Sequence, residues 1–140
     1  MRLAQLIACI ALVVIAACDP TVTGFETKTT PFTGASNGLL AFLEQPQNAT
    51  AGSPIVPAIK IIAQDTLGNV LTDFNSKVTL AIGTNAGGGT LSGGTTVAAS
   101  GGLAVFDSLR INKPGVGYTL TATTTASGVA AATSSPFTIF

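Results

Sequence analysis

The chain has 140 residues, six basic and six acidic side chains, no histidine, no tryptophan and a formal net charge of zero. Such a balance lacks the basic footprint that phosphate backbones require, so nucleic acid is set aside as a partner, and the missing histidine removes the commonest nucleophilic triads and most zinc sites. At about 100 to 200 residues per domain the length holds one domain and an appendage, and abundant Thr, Gly, Ala and Val point to short strands and tight turns rather than helices.

The first segment is a different material from the rest. Met1 and Arg2 make a short positive start, and Leu3 to Ala17 is apolar apart from Gln5, which is the layout of a secretory signal. A retained membrane span needs about 20 apolar residues, and this run is shorter. It ends in Ile15-Ala16-Ala17-Cys18. An aliphatic residue, two small residues and a cysteine resemble the signal of bacterial lipoproteins. That resemblance implies cleavage before Cys18, a diacylglyceryl group on its thiol through a thioether, and a partner that is the membrane itself, met through a lipid anchor. The competing reading is an incidental thiol in an ordinary signal. Cys9 leaves with the leader, so the mature chain keeps one cysteine and no intrachain disulfide. At about 0.8 kcal/mol per buried methylene, two or more acyl chains hold a protein on a bilayer where one lets it exchange. Asp19 resembles the inner-membrane retention signal of enteric-type bacteria, which other bacteria do not all read. The expected location is therefore membrane-anchored and extracytoplasmic, with periplasm and cell surface both open.

The expected organisation is a signal peptide over residues 1–17, a lipidated N-terminus and flexible linker over 18–36, and a β domain over 37–140. The linker "DPTVTGFETKTTPFTGAS" has no apolar period of two or 3.6. Fully extended at roughly 3.3 Å per residue it reaches on the order of 60 Å, enough to lift a domain clear of lipid head groups.

Beyond it, apolar runs alternate with Gly, Asn, Pro and Ser clusters at the spacing of a β-sandwich. Seven strands are expected: Leu39 to Gln45, Pro57 to Gln64, Lys77 to Ile82, Thr95 to Ala99, Leu103 to Ile111, Gly117 to Thr125 and Phe137 to Phe140. In the second, Ile59, Ile61 and Ala63 share one face; in the third, Val78, Leu80 and Ile82 do. "DTLGN", residues 65 to 69, supplies a turn between them. In the fifth, Ala104 and Phe106 are out of phase with Leu109 and Ile111, so a bulge or bend is expected at Asp107-Ser108. The expected core is Ile59, Ile61, Val78, Leu80, Phe106, Leu109, Tyr118, Leu120, Phe137 and Ile139.

The stretches "IKIIAQDTLGNVL", "VTLAIGTNAGGGTLSG" and "GLAVFDSLRINKPGVGYTLTA" resemble the immunoglobulin-like repeats of large bacterial surface proteins of the invasin and intimin type. The resemblance covers nearly all of residues 39 to 140. It implies an all-β, antiparallel immunoglobulin-like sandwich used as a rigid spacer or adhesive module, although such proteins string many copies together and this chain holds one. Tyr118, placed after Gly115-Val116-Gly117 at the start of an alternating strand, has the position of a tyrosine corner, whose hydroxyl bonds backbone upstream. It is read as structural.

Catalytic candidates are few. The domain's acids are Glu44, Asp65, Asp73 and Asp107, and Asp65 and Asp73, with Asn69 and Asn75, are the nearest approach to a calcium loop or an acid–base pair. Their spacing departs from a D-x-[DN]-x-[DN]-G loop, so turn and cap duty is the preferred reading. "GTNAGGGTLSGG", residues 83 to 94, lacks the Lys-Ser or Lys-Thr and the helix of a phosphate cradle and is read as a flexible loop. Asn48-Ala49-Thr50 matches a glycosylation sequon, which a bacterial leader makes a chance match. Thr119, Thr121, Thr123 and Thr125 share a strand face, a layout that a sugar- or ice-binding array would use but that exposed strands favour anyway. The terminal "FTIF" resembles a closing outer-membrane barrel strand, against which Pro136 and the short strands stand. No catalytic residue, cofactor or metal is expected. The expected function is a non-enzymatic, membrane-anchored module meeting an envelope protein or glycan, with a carbohydrate-binding module as the alternative; the absence of Trp weakens the latter.

Overall fold

Alternation of apolar and polar residues decides which side of each strand faces inward, and a computed structural model describes the outcome for residues 38–140. The expected leader, Cys18 and the linker to Ser36 lie outside the described residues. In strand β2 (Ile59–Asp65) Ile59, Ile61 and Ala63 are buried while Lys60, Ile62 and Gln64 are half-buried. β1 (Gly38–Glu44) runs antiparallel to β2 with Phe42 opposite Ile61 but Glu44 opposite Lys60. Leu43 is therefore an extra, bulged residue, which explains why a leucine in mid-strand is 59 % exposed. The remaining strands are β3 (Lys77–Ile82), β4 (Leu91–Ser92), β5 (Thr96–Ala98), β6 (Leu103–Phe106), β7 (Arg110–Ile111), β8 (Gly115–Tyr118), β9 (Leu120–Thr124), β10 (Val129–Ala130), β11 (Ala132–Thr133) and β12 (Phe137–Ile139). There is no helix among the described residues.

The strands form two four-stranded sheets, ordered β10-β1-β2-β6 and β11-β9-β3-β5, and two pairs, β12-β8 and β4-β7. Strand pairings are antiparallel except β1 with β10. Both larger sheets send side chains into one apolar core: Leu40, Ile61 and Phe106 from the first, Val78, Leu80 and Leu120 from the second. This is an all-β, sandwich-like arrangement. Every residue expected in the core is buried, from Ile59 and Leu109 at 0 % exposure to Phe137 at 4 %.

The chain changes sheet at both flanks. Between β5 and β6, Ser100 and Leu103 exchange backbone hydrogen bonds of 2.9 and 3.1 Å around Gly101 and Gly102 at φ of +59° and +87°. Two successive left-handed residues make the tight turn that suits a twisted hairpin, and glycine adopts them without strain. On the other flank Ala131 alone separates β10, in the first sheet, from β11, in the second. After β1 the chain crosses as well. Ala49 and Ala51 N–H groups donate to the Thr138 and Phe140 carbonyls at 3.1 and 2.8 Å, and the Asn48 side chain accepts the Thr138 N–H at 2.7 Å.

Two expected strands are split. Leu103–Ile111 breaks at Asp107–Leu109, where the phase slips, so that β6 pairs with β2 and β7 with β4. Gly117–Thr125 divides at Thr119, because β8 pairs with β12 while β9 pairs with β3 and β11. β4, β10 and β11 were not expected; at two residues each they are too short to carry a period. In β8, Phe137 faces Tyr118 but Thr138 faces Val116, which leaves Gly117 as the bulged residue with φ of +96°. That step turns Tyr118 inward and leaves Val116 outside, 79 % exposed.

A methyl group at Gly117 meets no atom within 4 Å, so Gly117→Ala isolates the backbone effect. Left-handed geometry is expected to destabilise the alanine variant by about 1–2 kcal/mol, read as a lower urea midpoint with an unchanged slope. An unchanged midpoint contradicts the assigned bulge.

Candidate functional site

Tyr118 is wholly buried, and a buried hydroxyl needs a partner. It donates to the Lys113 carbonyl, five residues upstream, at 2.9 Å. Its ring lies 6.2 Å from that of Phe137 at an interplanar angle of 34°.

The glycine-rich segment 83–94 packs over this tyrosine instead of forming the loose loop expected of it. A Cβ on Gly87 would strike the Pro114 carbonyl and come within 2.6 Å of the Tyr118 hydroxyl, and one on Gly89 would come within 2.7 Å of the same hydroxyl. Glycine is required here for close approach. Asn85 fastens the loop by donating to the Gly89 carbonyl at 2.8 Å and accepting the Gly89 N–H at 2.7 Å. Asn112 accepts the Thr90 N–H at 2.7 Å, and its own N–H reaches the Thr90 carbonyl at 3.3 Å. Neither asparagine was singled out from sequence. Asn112 acts on a residue 22 positions away, and such a bond leaves no local pattern.

The acids take up different tasks. Asp65 closes the turn after β2: its Oδ1 accepts the Leu67 and Asn69 N–H groups at 2.8 and 2.9 Å, and its Oδ2 accepts the Asn69 side-chain amide at 3.0 Å. Gly68, at φ of +92°, completes the turn by donating its N–H to the Asp65 carbonyl. The Asn69 side-chain bond first, then the Asn69 backbone bond, hold the Asp65 carboxyl below the usual carboxylate range. Asn75 is also committed, its Oδ1 accepting the Gly101 N–H at 3.1 Å and its amide donating to the Asp73 carbonyl at 3.2 Å. Both Asp65 carboxylate oxygens and the Asn75 Oδ1, which a calcium loop would have to turn toward an ion, are thus directed at donors of the chain itself. Among the described residues no three His, Cys, Asp or Glu side chains converge.

The threonine row is also partly occupied. Thr119 Oγ1 accepts the Thr84 N–H at 2.7 Å, Thr123 Oγ1 donates to the Thr79 carbonyl at 3.4 Å, and the Thr79 and Thr96 hydroxyls lie 2.9 Å apart. Thr125 lies beyond the end of β9. Hydroxyls bonded to their own sheet stabilise it and are less available to an external ligand. An open groove of about 380 Å³ lies between the Leu80–Ile82 end of β3 and the Gly89–Leu91 segment, with Thr95 at its side. Its lining carries no charged side chain.

The sequence matches no protein-family model and no curated protein.

Tyr118→Phe is expected to lower unfolding stability by about 0.5–1.5 kcal/mol through the lost hydrogen bond; an unshifted denaturation midpoint rules out a contribution from this bond. For Asp65 the folded carboxyl titrates lower than the unfolded one, so its contribution is complete above the unfolded value of about 4 and fades as pH falls through the folded value. The stability difference between wild type and Asp65→Ala is therefore expected to be small but constant near neutrality and to shrink in acid. A difference that stays flat or grows in acid contradicts the assigned bonding.

Proposed function

We propose that the chain is an exported, lipid-anchored protein that presents an immunoglobulin-like β-sandwich as a non-enzymatic interaction module in a bacterial envelope. The observation that carries this reading is Ile15-Ala16-Ala17-Cys18 at the end of an apolar leader with a positive start, where small residues suit a signal peptidase and the thiol suits acylation. Support for the immunoglobulin-like class comes from strand order. β1, β2 and β6 on one sheet, with β5, β3, β9 and β11 on the other, correspond to two sheets joined by Greek-key crossings. The Tyr118 hydroxyl bonded to Lys113 behind the β6–β9 corner supports the same class. The non-enzymatic part is supported by the turn duty of Asp65. Phe140 is the one aromatic among the strongly exposed large side chains of the described residues, which favours a protein partner over a stacked sugar.

Mass spectrometry of the mature N-terminus with membrane fractionation tests the anchor. The expected product begins at an acylated Cys18 and sediments with membranes, and Cys18→Ser is expected to lose acylation and either stay unprocessed or leave the membrane, with an unchanged unfolding midpoint. A wild-type chain found in solution with an unmodified Cys18 overturns the anchor.

A further inference from the structure

An open sheet edge is recognised by its unpaired backbone, and β3 has one at its C-terminal end. In an antiparallel sheet successive residues direct their N–H and C=O groups to alternate sides. Gly83 donates to Thr119 at 2.8 Å, so the odd-numbered residues of β3 bond β9; Leu80 donates to Thr95 at 2.8 Å, so the even-numbered residues face β5. β5 pairing ends at Thr96 opposite Thr79. The Thr95 N–H turns away to the Gly93 carbonyl at 2.9 Å and makes no return bond to Leu80. The Leu80 C=O and both backbone groups of Ile82 therefore point past the end of β5, and among the described residues no hydrogen bond reaches them.

These groups open onto the 380 Å³ groove. On the facing wall Gly89 bonds Asn85 through both backbone groups and Thr90 bonds Asn112, while Leu91, which lies opposite Ile111 at a non-hydrogen-bonded step, turns its backbone groups away from β7. On the β3 side a guest is offered both backbone groups of Ile82. The groove also lies in line with β5, in the place a further strand would occupy.

We propose that the groove is a docking site for an uncharged, extended polypeptide segment of a partner protein, added as a short strand to β3 beyond β5. In antiparallel register a guest residue opposite Ile82 exchanges both backbone bonds with it, and the guest strand ends against Thr95, which already holds the place opposite Leu80. Backbone at strand spacing is the chemistry that matches these groups. The uncharged lining, with Leu91 and Ile82 half-buried beside Thr95, disfavours a charged guest, whose desolvation nothing here would offset. The proposal rests on the interaction-module reading but not on the lipid.

The test is a displayed library of uncharged peptides of about seven residues, a common strand length, screened against the purified full-length chain, with amide hydrogen exchange on the hits. The expected result is a binder that slows exchange at the Ile82 amide while the Ala81 amide, already bonded to β9, is unchanged. N-methylation of alternate guest residues is expected to weaken binding at least about tenfold, a loss of the order of one or two hydrogen bonds. Ile82→Pro, which removes an N–H that β9 does not use, is expected to do the same with β9 pairing intact. The N-methylated guests keep the test independent of that variant's folding. No binder in the library, or binders and sugars that leave the Ile82 amide unprotected, overturns the site. A binder with Ile82 protected in a chain whose Cys18 proves unmodified keeps the site and removes the anchor alone.

Discussion

The Tyr118 hydroxyl must be satisfied inside an apolar core, and much of the local chain is arranged by that requirement. The Gly117 bulge turns the ring inward, and the hydroxyl then reaches Lys113 at 2.9 Å. Two backbone segments close around it, at Gly87 and Gly89 and at Gly115, and a side chain at any of the three would strike either the tyrosine or facing backbone. The glycine content that first reads as looseness is, at these positions, a condition of tight packing. Asn85 and Asn112 hold the loop in place, which carries β4 to its pairing with β7.

The rest of the core has to hold without cross-links. It does so by having the chain pass repeatedly between the sheets: at Gly101-Gly102, at Ala131, and after β1 where residues 48–51 leave β2 for β12. Each crossing ties the two layers through backbone bonds as well as apolar contact. Ser134, the buried polar side chain at the end of β11, fits the same scheme: it accepts the Leu120 N–H at 2.9 Å and donates to the Ser135 carbonyl at 2.9 Å. A buried hydroxyl with both roles filled adds order at little desolvation cost.

The sequence was legible where a strand is long enough to alternate. β2 and β3 could be assigned face by face, and the phase slip at Asp107-Ser108 marked a real break between β6 and β7. It was illegible where burial comes from loops: Ile55 and Phe74 are each 1 % exposed, yet both sit among turn-forming residues in no periodic run. The Asp65 turn could be read from "DTLGN" because an Asp side chain capping its own turn is a local interaction. The β3 edge could not. It is made of main-chain groups that every residue carries, and it exists only because β5 ends and the Thr95 N–H turns toward Gly93.

This difference bears on what such a domain can do. With 9 % charged residues, no histidine and no tryptophan, the chain has little side-chain chemistry with which to attract, orient or transform a ligand. Asp65, whose carboxyl is held below the usual range, spends both carboxylate oxygens on its own turn, and the hydroxyls of Thr79, Thr96, Thr119 and Thr123 are engaged by other groups of the chain. Unpaired main-chain groups in an uncharged groove are then a directional feature that side chains do not supply, and on the proposed reading their spacing suits another extended chain. A fold so poor in reactive groups can still be specific if recognition is delegated to the backbone, with the groove's width and lack of charge deciding which segments fit.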